Sequence, residues 1–123
     1  MRYDILRTVI LAPYAKGKGP RFTLQTRDTG RFDGTHSTLA YTLSMKAPGM
    51  PRVVLFEGAD YGVPSHQCID SDDAVRGLLG FLTLRPGDTD AEYFEGYTDE
   101  QRAFCDEHAE ALSYESMRRF GEG

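Results

Sequence analysis

The stretch STLAYTLSMK, residues 37–46, alternates apolar and polar side chains, so Leu39, Tyr41, Leu43 and Met45 share one face only if the backbone is extended. Working outward, RFTLQTR (residues 21–27) repeats the pattern with Phe22, Leu24 and Thr26, and YDILRTVILA (residues 3–12) is rich in β-branched residues. On the other side RVVLF (residues 52–56) is a short apolar run suited to a fully buried strand. Turn residues punctuate the four segments: KGKGP at 16–20, DTGRFDGTH at 28–36 and APGMP at 47–51. Strands joined by such short connections pair with their sequence neighbours, which predicts an antiparallel meander.

Beyond residue 70 the apolar period changes from two to that of a helix. Asp70, with Asp73 three residues on, reads as the start of SDDAVRGLLGFLTL, in which Val75, Leu78, Leu79 and Leu82 recur at helical spacing. This predicts a buried helix over about 71–83, stopped by RPG at 85–87. Its two glycines, Gly77 and Gly80, each weaken a helix by roughly 1 kcal/mol relative to Ala, so close packing against the sheet is expected at both.

The acidic stretch that follows, LRPGDTDAEYFEGYTDEQ (84–101), has two readings. As a calcium loop, Asp88, Asp90, Glu92 and Asp99 fall at positions 1, 3, 5 and 12; the sixth position, which needs glycine for the sharp turn, is Tyr93, and the twelfth is Asp in place of the longer bidentate Glu. As helix starts, Thr89 with Glu92 and Thr98 with Gln101 both have capping-box spacing, and acids in a first turn complement the helix dipole. The second reading prevails. It leads into one long helix over 99–120 with Phe104, Cys105, His108, Ala109, Leu112 and Phe120 on a stripe and Gly121 as C-cap.

With 123 residues, 40% hydrophobic and 27% charged, the chain suffices for one single domain (1–123) with its own core, and disorder is disfavoured. No run of eighteen apolar residues occurs, so no spanning helix is expected; Asp4 and Arg7 interrupt the first apolar run, which argues against a signal peptide. The expectation is therefore a cytoplasmic protein with Cys68 and Cys105 reduced.

The net charge of −5 conceals an asymmetry. Residues 1–56 carry nine Lys or Arg against three acids, a net of +6, while residues 57–123 carry five against sixteen, a net of −11. Either the halves neutralise one another across the fold, or the second half presents an acidic surface to a basic partner.

Motifs that fix a chemistry are absent: no phosphate loop of the G-x-x-x-x-G-K type, no G-x-S-x-G elbow, no H-E-x-x-H helix. His66, Cys68, Cys105 and His108 form a chemically sensible zinc shell, but H-x-C followed by C-x-x-H is not a diagnostic spacing and a domain this size needs no metal to fold, so no cofactor is expected. GKGPRF (17–22) suits an anion and equally a basic turn. Tyr14, Phe22, Phe32 and Tyr41 lie among Arg21, Arg27 and Arg31, a composition compatible with single-stranded nucleic acid, which the overall negative charge opposes. EGADYGVPSHQCIDSDD, from Glu57 to Asp73, reads as a long loop between a buried strand and a buried helix, able to gather Asp60, Tyr61, Ser65 and His66 at one end of the sheet.

The sequence thus predicts an α+β fold: a four-stranded, mostly antiparallel sheet from the N-terminal half, packed by two or three helices from the C-terminal half. The leading functional expectation is a small non-catalytic domain whose acidic residues Glu92, Glu95, Glu100, Asp106, Glu107 and Glu110 engage a protein with a basic or nucleic-acid-binding surface. Such domains are common among accessory proteins of phages and mobile elements, which is an association only. The alternatives are a small enzyme working at the 57–73 loop and nucleic-acid binding by the basic half.

Overall fold

The computed structural model describes residues 4–85, 87 and 91–121. The alternating segments become β1 (Asp4–Leu11), β2 (Arg21–Phe32), β3 (His36–Lys46) and β4 (Val53–Pro64), and the order β1-β2-β3-β4 with every neighbouring pair antiparallel is the expected meander. Register is set by the apolar faces. Val9 pairs with Leu24, Leu24 with Leu43 and Leu43 with Phe56, so one face of all four strands is apolar. A one-residue slip would turn that whole set to solvent.

That face is covered by α1 (Asp72–Leu82), α2 (Asp99–Glu107) and α3 (Ala109–Phe120). Leu24 and Leu43 of the sheet pack with Val75, Leu78 and Leu79 of α1, Phe104 of α2 and Leu112 of α3 in one core cluster, all at most 1% exposed. Each fully buried Leu contributes about 1.5–3 kcal/mol relative to an exposed one. The other face carries Thr23, Gln25 and Thr42, with Ile10 and Val54 half exposed at its margins, as expected for a sheet solvated on one side.

The turns follow their residues. Pro48 and Gly49 sit at the centre of the β3–β4 turn, closed by Met50 N–H donating to the Ala47 carbonyl at 3.1 Å, and Gly49 has φ +74°, the type II signature.

Four expectations need correction. β4 continues eight residues past Phe56, so the first eight residues of the 57–73 segment are strand and only 65–71 connects it to α1. The glycines that read as loop serve the pairing: Gly58 lies opposite Tyr41, and a Cβ there would stand 2.6 Å from the Tyr41 hydroxyl. The cap of α1 is Ser71, not Asp70; its hydroxyl accepts from Ala74 N–H at 3.1 Å while donating to the Cys68 carbonyl. The single helix over 99–120 is two, broken at His108, where φ is −129°. The bonds His108 N–H to Phe104 O and Leu112 N–H to His108 O persist, so the break is a kink. Finally, Gly77 does pack closely, 2.8 Å from a built Cβ to the Tyr61 hydroxyl, but Gly80 faces open space.

Of the two acidic helix starts, Thr98 and Gln101 form the reciprocal capping box of α2. Thr89 lies outside the described residues, and Glu92 belongs to a single 3₁₀ turn, Ala91–Phe94, in place of an α-helix. Gly121 caps α3 with φ +76°.

Candidate functional site

The residues expected to converge on the 57–73 segment are dispersed by the extra length of β4. Asp60 sits in a bulge of β4 where Leu39 pairs with Tyr61 and Tyr41 with Gly58; it is exposed and lines a shallow cavity of about 600 Å³ with Arg31, Asp33 and Thr38. Tyr61 turns toward α1, its ring 6.0 Å from Phe81 and its hydroxyl beside Gly77. Ser65 and His66 are exposed in the connection, where Ser65 N–H donates to the Thr35 carbonyl. None of these three lines the Asp60 cavity.

The four zinc candidates are likewise separate in role. Cys68 is exposed beside His66 before α1, Cys105 is buried with its thiol directed at the Leu84 carbonyl, and His108 faces Tyr14. Among the described residues no three His, Cys, Asp or Glu side chains are grouped to hold a metal ion. Burial, with the Asp106 charge adding to it, pushes the Cys105 thiol up, which keeps it protonated and unreactive. Three of the four candidate stacking aromatics are also committed elsewhere: Phe22 is wholly buried, Tyr41 packs against the core and Tyr14 binds His108. Only Phe32 of that set is exposed.

The acids behave differently. Asp106 and Glu107 end α2 and Glu110 begins α3, and the kink at His108 brings all three to one groove of about 530 Å³. Pro13 and Tyr14 from the β1–β2 connection, Cys105 from α2, Ala111 and Tyr114 from α3, and Arg85 after α1 complete its walls. Glu92 and Glu95 are exposed on and beside the 3₁₀ turn and are not part of it.

A small polar network joins Tyr14 and Glu107 of the groove through His108. The Tyr14 hydroxyl lies 2.7 Å from His108 Nδ1, and His108 Nε2 lies 3.6 Å from a Glu107 carboxylate oxygen. Burial pushes the Tyr14 phenol up, helped by Glu107, so it remains a donor. Burial pulls His108 down while Glu107 opposes this less strongly, so the imidazole is neutral at pH 7. The consistent tautomer accepts from Tyr14 at Nδ1 and carries its proton on Nε2, toward Glu107. Ring contacts of His108 with Tyr14 at 5.6 Å and Phe22 at 5.9 Å hold the imidazole in this orientation.

With His108 neutral, the groove holds three carboxylates against one guanidinium, Arg85, which pairs with Glu110. Asp106 makes no ion pair among the described residues, and Glu107 faces only His108. Neutralisation from the basic half is slight as well. Among the described residues the sole ion pair joining residues 4–56 to the rest is Arg7 with Asp72 at 2.7 Å.

Sequence reading named the acids, and Tyr14 only as a stacking aromatic, but missed Arg85 and Tyr114. Tyr114 was accessible to it, since Glu107, Glu110 and Tyr114 are spaced three and four apart on one helical face. No protein-family model, curated protein sequence or solved structure matches the chain.

Proposed function

We propose that the protein is a non-catalytic docking module that binds a protein partner with a basic surface through the groove at the α2–α3 kink. The observation that carries this reading is the local excess of two negative charges in a recess with tyrosine, proline and alanine walls. A concave, partly apolar surface supplies contact area, and an uncompensated charge of one sign steers a partner of the other. Among the described residues no nucleophile and base stand paired at the groove, because the Cys105 thiol on its wall bonds the Leu84 carbonyl and the neighbouring His108 imidazole bonds Tyr14. Localisation in the cytoplasm suits this reading, and no helix among the described residues is long and apolar enough to cross a membrane.

The test is affinity capture with the intact chain and with an Asp106→Lys, Glu107→Lys variant, each at low and high salt. A partner held by the groove is retained by the intact chain, released as salt screens the charges, and lost in the variant. Capture that survives both the reversal and the salt rejects the groove.

A further inference from the structure

Resting on that reading, the geometry points to an arginine of the partner as the group that anchors in the groove, its guanidinium stacked on the Tyr114 ring and paired with Asp106 or Glu107. The charge of the recess asks for a cation, and the walls decide which one. Tyr114 is 69% exposed, so a large aromatic face stands free at the rim of an acidic recess. A guanidinium is planar, weakly hydrated and able to stack and donate two parallel hydrogen bonds at once, whereas an ammonium is a strongly hydrated point charge that gains less from an aromatic wall.

The molecule already uses this chemistry on itself. Arg85 enters the same groove and pairs with Glu110, so the recess accommodates one guanidinium. Elsewhere the guanidiniums of Arg7 on β1 and Arg119 on α3 lie 5.8 and 5.9 Å from the centre of the Phe120 ring. Glu110 being engaged, Asp106 and Glu107 are the carboxylates left for an incoming side chain. They follow one another along the end of α2, and Tyr114 lies two turns beyond Glu107.

The experiment is a titration of the labelled chain with two acetylated, amidated eight-residue peptides, alternating Arg-Gly and alternating Lys-Gly, followed by amide chemical shifts. The arginine peptide is expected to bind about fivefold more tightly than the lysine peptide, with shifts concentrated at Tyr14, Asp106, Glu107 and Tyr114. Tyr114→Leu, which keeps the bulk and removes the ring, is expected to abolish that preference, and Tyr114→Phe to keep it. Equal binding of the two peptides, or a preference unchanged in Tyr114→Leu, overturns the arginine slot. If both peptides nevertheless lose affinity in the Asp106→Lys, Glu107→Lys variant, the acidic docking reading stands without it. Failure of both peptides to bind the intact chain overturns both.

Discussion

At Thr26 the core holds a hydroxyl that finds no partner among the described residues. The residue is 1% exposed on β2, opposite Tyr41 of β3. A buried, unsatisfied polar group forfeits its hydration without return. Thr26→Val replaces that hydroxyl by a methyl of similar shape and is expected to raise stability by about 1 kcal/mol, read as a higher urea midpoint with an unchanged slope. A lowered midpoint would mean that the hydroxyl is satisfied.

His108 poses the opposite case, a polar side chain whose partner is present and whose charge is disfavoured. Its folded pKa lies below the usual 6.5, mainly through burial. The unfolded chain therefore takes up the proton first as pH falls. Stability from this site is complete above pH 6.5, is lost as pH drops from there through the lowered folded value, and then levels off. His108→Gln is expected to flatten the decline in unfolding midpoint between pH 7 and 5. Asp33 does not confuse this window: it is held to about 2 by the N–H groups of Thr35 and His36, so its contribution is lost only at more acid pH.

For whole elements, the two glycines of α1 allow a matched comparison. Gly80→Ala meets nothing within 4 Å, so the helix gains its usual propensity and the protein is expected to be stabilised by about 0.5–1 kcal/mol. Gly77→Ala earns the same propensity but must displace the Tyr61 hydroxyl 2.8 Å away, and with it a ring packed on Phe81. Its gain should be smaller than that of Gly80→Ala or reversed. Thermal unfolding of both variants decides the matter, and equal gains would show that Tyr61 moves freely.

The same elements mark what sequence could and could not reveal. β3 was legible because its alternation answers to one covered face, and the capping box of α2 because Thr98 and Gln101 act within a single turn. The far half of β4 was not, since Gly58 reads as a loop until Tyr41 is seen filling the space above it. Nor was the kink at His108, whose imidazole bonds a tyrosine 94 residues earlier in the chain. The groove was half legible for the same reason. Its acids are consecutive on the helices, but Tyr14 and Arg85 reach it only through the fold.

At the scale of the whole molecule, the question is why an acidic half is tolerated when, among the described residues, one ion pair, Arg7 with Asp72, joins it to the basic half. Asp106 and Glu110 stand four residues apart, and Glu107 and Glu110 three apart, along helices whose hydrogen bonding runs through the kink. Like charges at these spacings oppose the helix by about 0.2–0.5 kcal/mol per pair, and of these three acids it is Glu110 that pairs with Arg85. A carboxylate such as Asp106, which makes no ion pair among the described residues, points to a use outside the free protein, as functional residues commonly cost stability. Asp106→Asn with Glu107→Gln is therefore expected to leave the unfolding midpoint unchanged or slightly raised at low salt, with the increment fading as salt screens the repulsion that the substitution removes. Binding to a basic peptide should fall in the same variant. The two measurements belong together: a protein destabilised by the neutral pair would mean that these carboxylates hold the fold, and their excess would then be no argument for a partner.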